Sequence, residues 1–198
     1  MRAQDLTRQA CCRPLWLVWL LLSLPVAGQV LADSERGAFT VTEVNTSRGE
    51  TAWRLDAMIA IRLSEGAREA LENGISLILE FQVQALEKQP WLWKSVVAEQ
   101  QRRRQLHYHA LSRTYLVKDL DTGFQRSFRY LEAALQYAGV LEDVEVLEYQ
   151  SMNSGRQYTV RVRGSLDIES LPTPVRLLAY VSSAWDMDSE WQQWQLAH

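Results

Sequence analysis

Strict alternation of apolar and polar side chains is the feature that most limits what this chain can fold into. The alternation occupies residues 53–63, 75–85 and 158–168. Side chains alternate faces along a β-strand, so each of these runs has one buried face and one hydrated face. That pattern is typical of antiparallel sheets that pack one face on a core. Weaker alternation occurs at residues 39–44, 106–117, 144–149 and 175–181, which brings the expected number of strands to about seven.

Two segments change to helical spacing. Ser64 is placed to cap a short helix that ends at Asn73-Gly74. A second helical stripe runs from Phe128 to Ala138, and Gly139 follows it where a helix end favours a left-handed residue. Residues 91–105 fit a strand, a helix or a long loop. We therefore expect a mainly β fold, an antiparallel β-sandwich-like domain of about seven strands with two short helices; an α+β fold is the alternative.

The first 32 residues are typical of an export signal. Basic residues outnumber acidic ones ahead of the apolar stretch Leu15–Ala27, and Val30 and Ala32 occupy the −3 and −1 positions of a cleavage site before Asp33. A membrane-spanning helix needs about 20 apolar residues, more than this stretch provides. We expect cleavage between Ala32 and Asp33, which releases a single β-rich domain of residues 33–198 into the periplasm or outside. The alternative is an inner-membrane anchor formed by residues 15–31.

Charge and cysteine content exclude several classes of protein. The chain has 24 acidic and 21 basic residues and a formal net charge of −3, so it lacks the basic character that nucleic-acid binding requires. Cys11 and Cys12 both precede the apolar stretch, so we expect neither a disulfide nor thiolate chemistry in the mature domain. No cofactor and no nucleic-acid partner are expected, and membrane contact is expected only through the signal segment if it is not cleaved.

Several short sequence motifs resemble those of a known family. LS at 63–64 leads into ALENG at 70–74, and YHALSRTYLV at 108–117, LPTP at 171–174 and WDMDSEW at 185–191 follow in that order. Together they resemble domain-of-unknown-function family 4390, a group of uncharacterised exported proteobacterial proteins. The resemblance implies a small exported protein, and some members are encoded near a sensor kinase. It carries no activity and therefore no functional residues.

His107 and His109 are the best candidates for a metal site. Two residues spaced by two on a strand share a face, so both imidazoles could reach one zinc or copper ion. A third ligand has no recognisable position, however, and the pattern fits two ordinary residues on a polar strand face equally well. We favour that second interpretation and predict no metal.

Arginines and tryptophans are the candidates for binding. Arg102, Arg103 and Arg104 form the densest positive run, which could contact an anionic headgroup or an acidic protein patch; a solvated edge or loop is the favoured alternative. Trp91 and Trp93 would share one side of an extended segment. Trp191 and Trp194 would share one face of a helical turn, and core packing is the alternative for all these indoles. These residues follow from the sequence as possible contacts for a ligand or partner: Trp91, Trp93, Arg102, Arg103, Arg104, Trp191 and Trp194.

Motifs for catalysis are missing from the sequence. It contains no nucleophile elbow and no phosphate-binding glycine loop, so we do not expect an enzyme. We expect a non-catalytic protein-interaction module of the cell envelope, with the sensory part of a membrane kinase as one candidate partner. The alternative is a binding module for a small apolar, lipid or saccharide ligand, and a metalloprotein or enzyme is the least favoured of the three.

Overall fold

The computed structural model describes residues 36–88 and 94–196, and within them the chain forms nine strands and three α-helices. The strands are β1 (Ala38–Arg48), β2 (Ala52–Arg62), β3 (Leu77–Lys88), β4 (Lys94–His109), β5 (Thr114–Asp119), β6 (Gln125–Phe128), β7 (Val140–Glu148), β8 (Tyr158–Leu166) and β9 (Gln192–Gln195). The helices are α1 (Glu65–Glu72), α2 (Leu131–Ala138) and α3 (Thr173–Val181), with single 3₁₀ turns at Tyr149–Ser151 and Ser183–Trp185. The predicted export signal and its cleavage site at Ala32 and Asp33 lie outside the described residues. In the ranges that are described, no helix combines the length and the apolar character needed to cross a bilayer.

The strands form two antiparallel sheets. The small sheet has the order β1-β2-β7, and the large sheet has the order β6-β5-β4-β3-β8-β9. Their inner faces pack on each other: Phe39 of β1 meets Phe81 of β3 edge-on, with ring centroids 6.3 Å apart, and both side chains are buried. The mainly β, antiparallel fold is therefore confirmed, with more strands than the sequence indicated. Each sheet also combines strands from both halves of the chain, since β2 pairs with β7 and β3 pairs with β8.

Alternation of buried and more exposed side chains explains why the central residues form strands. In β8, every second residue is buried between Tyr158 and Leu166, and the residues between them are half-buried on the other face. In β2, Leu55 and Ile59 are buried, whereas Asp56 between them is exposed. Fully burying a leucine or isoleucine side chain stabilises a fold by roughly 1.5–3 kcal/mol, so the register that buries these positions is strongly preferred.

Both predicted helices form, but Gly139 is required for close packing rather than for a left-handed conformation. Ser64 caps α1, with its hydroxyl accepting a hydrogen bond from the Ala67 amide at 3.3 Å, and Gly74 after it has a φ of +85°. Gly139 after α2 has a φ of −88°, so the expected left-handed conformation is wrong. A β-carbon at this position would overlap the carbonyl oxygen of Ile59. The glycine therefore lets the end of α2 lie directly against β2, where the Ile59 amide donates to the Gly139 carbonyl at 2.9 Å.

Three segments differ in type or length from what alternation alone indicates. Residues 173–181 form α3 rather than a strand, and Pro174 in its first turn fixes a backbone angle that suits a helix. The ambiguous residues after Trp93 form β4, which is the longest strand in the described ranges and pairs with both β3 and β5. Residues 45–48, which follow the first alternating run, continue β1 because Thr46 and Ser47 pair with Leu55 and Arg54 of β2.

Candidate functional site

The outer face of the large sheet, which points away from the small sheet, carries an ordered group of polar side chains. Strand pairing places Gln84 opposite Arg161 and Gln82 opposite Arg163. The Arg161 Nε donates to the Gln84 Oε1 at 2.8 Å, and an Arg163 terminal nitrogen donates to the Gln82 Oε1 at 3.0 Å. Because the residues between them in β3 and β8 are buried in the core, the alternation of two paired strands fixes both arginines on this face.

Trp191, just before β9, covers both arginines. Its ring centroid lies 4.3 Å from the guanidinium carbon of Arg161 and 5.0 Å from that of Arg163. A cation over an indole ring is attracted by the ring quadrupole, by about 0.5–1 kcal/mol at an exposed site. The Arg163 Nε is buried and has no hydrogen-bond partner among the described residues. We call Arg161, Arg163 and Trp191 the Arg–Trp cluster.

The network continues from the Arg–Trp cluster to β4. The Gln84 amide donates to the Glu99 Oε1 at 3.0 Å, which links Arg161, Gln84 and Glu99 across three neighbouring strands. Farther along β4, Arg103 pairs opposite Glu80 on the same face and is exposed. Side chains held in one arrangement by their neighbours lose less conformational freedom when a partner binds them.

The two outer faces of the molecule differ in charge. The outer face of the large sheet is mainly cationic, and its charged residues include Arg103, Lys118, Arg161 and Arg163 against Glu80 and Glu99. The outer face of the small sheet is mainly acidic, and its charged residues include Glu43, Asp56, Glu142 and Asp143 with Arg54, which pairs with Asp143. A cationic face on a chain of net charge −3 provides charge complementarity for an acidic partner.

The run Arg102–Arg104 does not form one patch. β4 directs Arg103 outwards and directs Arg102 and Arg104, the residues on either side, inwards. The Arg104 guanidinium donates to the carbonyl oxygens of Tyr137, Ala138 and Val140 at 3.0, 2.8 and 2.6 Å, which closes the end of α2. The run therefore lies in a paired strand rather than in the solvated edge or loop that we expected. The Arg104 guanidinium is already hydrogen-bonded within the fold and is not offered to a partner.

Asp119 supports Arg104 from β5. Its carboxylate lies 3.7 Å from the Arg104 Nε and accepts hydrogen bonds from the amide and the hydroxyl of Thr122 at 2.8 and 2.9 Å. Burial alone would raise the pKa of Asp119, but the hydrogen bonds from Thr122 and the charge of Arg104 lower it below its ordinary value. The pair is structural, because both side chains are mostly buried between α2 and the sheet.

The two C-terminal tryptophans, like the arginines of β4, are divided between the two faces of the large sheet. Residues 192–195 form β9, so the helical turn expected for Trp191 and Trp194 is wrong. Trp194 pairs opposite Val160 and packs against the core, whereas Trp191 lies on the outer face of the large sheet. Trp91 and Trp93 lie outside the described residues, so their part in binding stays a prediction.

The two histidines make separate local hydrogen bonds. The His107 Nδ1 lies 3.1 Å from the Ser76 Oγ, and the His109 Nδ1 lies 2.9 Å from the Ser112 Oγ. The His109 ring also accepts the Ser112 amide, so it fixes the turn between β4 and β5, where Arg113 has a φ of +54°. Within residues 36–88 and 94–196, no three His, Cys, Asp or Glu side chains come together in a way that could hold a metal.

Arg161, Arg163, Gln82 and Gln84 were not recognised from the sequence. The signal that could have found the arginines is their spacing of two within the strongest alternating run, which places both on one face. Nothing in the sequence places Gln84 beside Arg161, because the two residues are 77 positions apart.

Comparison with known proteins gives one match. Residues 37–195 match the model of a family described as Domain of unknown function (DUF4390), a range that includes both sheets and the Arg–Trp cluster. No curated protein and no solved structure matches the chain.

Proposed function

This chain belongs to the DUF4390 family, and from that premise we propose that it is a non-catalytic interaction module of the cell envelope. It binds an acidic segment of another envelope protein through the outer face of its large sheet. The observation that carries the proposal is the hydrogen-bonded array from Arg161 through Gln84 to Glu99, with Trp191 stacked on its arginines.

The residue types and their order favour a protein partner. Tryptophan and arginine are the side chains that most often dominate the energy of protein interfaces. Here they lie together on a regular sheet, and Gln82 and Gln84 fix the arginines through their amide oxygens. An acidic partner segment would meet Arg103, Arg161 and Arg163 beside the Trp191 indole, and its carboxylates would form charge-assisted hydrogen bonds with the guanidinium groups.

The envelope location is supported by the first 32 residues, whose basic start, apolar stretch and small residue at Ala32 are typical of an export signal. An envelope sensor with an acidic segment near the membrane is the partner class we expect. The second candidate function, binding of a small saccharide or lipid, is favoured by the polar side chains beside an indole, and the experiment below separates the two.

Site-specific photocrosslinking in the envelope of the native host tests this function. A photoreactive residue at Gln101, exposed on the outer face of the large sheet, is compared with one at Ala60, exposed on the outer face of the small sheet. We expect a defined crosslinked protein from position 101, with mass spectrometry mapping the crosslink to a segment rich in Asp and Glu. The double variant Arg161→Glu, Arg163→Glu should remove this product, and Arg62→Glu on the other face is the matched control.

Several outcomes would contradict the proposal. Equal crosslinking from positions 60 and 101, a product that survives the double charge reversal, or a crosslink to a basic segment would each overturn it. A saccharide or lipid retained by the protein in native mass spectrometry, and lost in Trp191→Ala, would establish the ligand-binding function instead. Circular dichroism of each variant verifies that the sheets are intact.

A further inference from the structure

Helix α3 exposes an apolar face that the sequence did not indicate. Within this helix Ala179 alone is buried. Leu177 and Leu178 are each 63% exposed and Val181 is 83% exposed. Residues spaced by three and four share a face of a helix, so these three side chains form one apolar surface, and Tyr180 adjoins it at 56% exposure. Clustered apolar exposure of this kind marks a contact surface more often than isolated residues do.

Hydrogen bonds hold α3 with this face outwards. Arg176 donates to the carbonyl oxygen of Glu169 at 2.8 Å, and the Tyr180 hydroxyl donates to the Glu169 carboxylate. Beside the helix lies a groove of about 550 Å³ lined by Ala179, Trp185 and Met187 together with the exposed Tyr180 and Val181. Leu177 and Leu178 do not line this space and remain available to another surface.

The chain enters the fold beside this groove. A β-carbon added to Gly37 would overlap the sulfur of Met187, and the Ser64 amide donates to that same sulfur at 3.3 Å. Since Met187 lines the groove together with Ala179, the first residues of the fold lie at the α3 end of the molecule.

The inner-membrane anchor of residues 15–31, the alternative to cleavage, would bring this end close to a membrane. The apolar residues of the N-terminal segment end at Leu31, only six positions before Gly37. An extended chain spans about 3.3–3.6 Å per residue, so the tether reaches at most about 20 Å. While the apolar segment is attached to a bilayer, α3 is therefore held near the lipid surface.

We propose that α3 is a lipid-contacting helix, whose Leu177, Leu178 and Val181 insert into the interfacial region of that bilayer. Tyr180 and Arg176 flank the apolar face, and such residues occupy the headgroup level, where an aromatic ring or a long stem is in lipid and the polar tip is in water. The groove beside the helix is lined by Arg163 as well as by the exposed carboxylates Asp186 and Asp188, so we expect the apolar side chains of α3, rather than anionic lipid, to make the contact. Leu177, Leu178 and Val181 are not part of the Arg–Trp cluster, and the inference depends on retention of residues 15–31 rather than on the proposed function.

The test places an environment-sensitive fluorophore at position 181 of the full chain. Cys11 and Cys12 are first changed to Ser, and Val181→Cys is labelled; Gln101→Cys, exposed on the outer face of the large sheet, is the matched control. Each protein is reconstituted in phosphatidylcholine vesicles with and without a lipid that carries a quencher in its acyl chain. We expect a blue shift and strong quenching at 181, no quenching at 101, and little effect of added salt.

A second substitution separates the helix from the tether. Leu178→Glu keeps the N-terminal segment and should abolish quenching at 181 without changing the circular dichroism. Equal quenching at 181 and 101, or quenching at 181 that persists in Leu178→Glu, would overturn the proposal. So would a probe at 181 that is already shielded before vesicles are added, because α3 would then be covered by this chain or by a second copy of it.

Discussion

Two groups of arginines in the large sheet differ in what their spacing produces. Arg102, Arg103 and Arg104 are consecutive in β4, and the strand sends neighbours to opposite faces. Arg161 and Arg163 are two positions apart in β8, so both reach the outer face under Trp191. In a β protein, therefore, a dense run of charge in the sequence is divided between core and surface, whereas alternating charge is collected into one patch.

The same comparison separates stability from binding. Arg104 is mostly buried and donates hydrogen bonds to three carbonyl groups, so its role is to join α2 to the large sheet. Arg161 and Arg163 bond to glutamine side chains on the outer face, where a partner can reach them. Substitutions in the two groups should accordingly change different measured quantities.

The largest effect is expected for Arg104→Ala. Loss of the guanidinium removes its hydrogen bonds to the carbonyl groups of Tyr137, Ala138 and Val140 and leaves Asp119 without its cation. We expect the free energy of unfolding to fall by about 2–4 kcal/mol, measured by urea denaturation of the full chain. Arg103→Ala, the adjacent exposed arginine, should change it by less than about 0.5 kcal/mol. Equal losses in the two variants would contradict the division of the run between the two faces.

A smaller, pH-dependent effect is expected at Asp119. Its folded pKa lies below the ordinary value, so its contribution to stability is complete above the unfolded pKa and is lost as the pH falls through the folded pKa. Asp119→Asn should lower the free energy of unfolding by about 1–2 kcal/mol near neutral pH, and the difference from the native chain should shrink as the pH falls from neutral to below the ordinary carboxyl pKa of about 4.

Denaturant unfolding of both proteins across this pH range measures the effect at Asp119. A difference that stays constant with pH would mean that the charge of Asp119 does not contribute through Arg104. Asp121→Asn, at a neighbouring exposed carboxylate, is the control.

The smallest effect on stability is expected for Trp191→Ala. The indole covers two arginines on the surface, so its removal should cost about 0.5–1 kcal/mol of unfolding free energy while weakening partner capture strongly. Trp194→Ala, which removes an indole packed against the core, should cost more and serves as the comparison. A loss for Trp191→Ala as large as that for Arg104→Ala would show that the Arg–Trp cluster is structural.

Local physics made much of the fold predictable. Burial of one strand face imposes alternation, which identified β2, β3 and β8 correctly, and the capping role of Ser64 depends on residues within one turn. Residues 175–181 were wrongly predicted to form a strand. A short apolar run with a single charged residue, Arg176, fits a strand and a helix equally well. The proline at position 174 decided in favour of the helix.

The remaining features depend on contacts between distant parts of the chain. Gly139 was correctly placed at a helix end, but it is needed because α2 touches β2, and the sequence does not show that approach. The Arg–Trp cluster likewise requires β3, β8 and the segment before β9 to lie side by side. The apolar face of α3 could not be recognised while the segment was interpreted as a strand.

The way each sheet joins both halves of the chain has a consequence for the order of folding. The hairpins β1–β2 and β3–β4 connect near neighbours and can form within about 1–10 μs of their synthesis. β7 and β8, which lie much farther along the chain, pair with β2 and β3 only later, and such non-local pairing slows folding to roughly milliseconds or seconds. Until then the inner faces around Leu55 and Phe81 lack part of their cover, so the partly folded chain is at its most prone to aggregate.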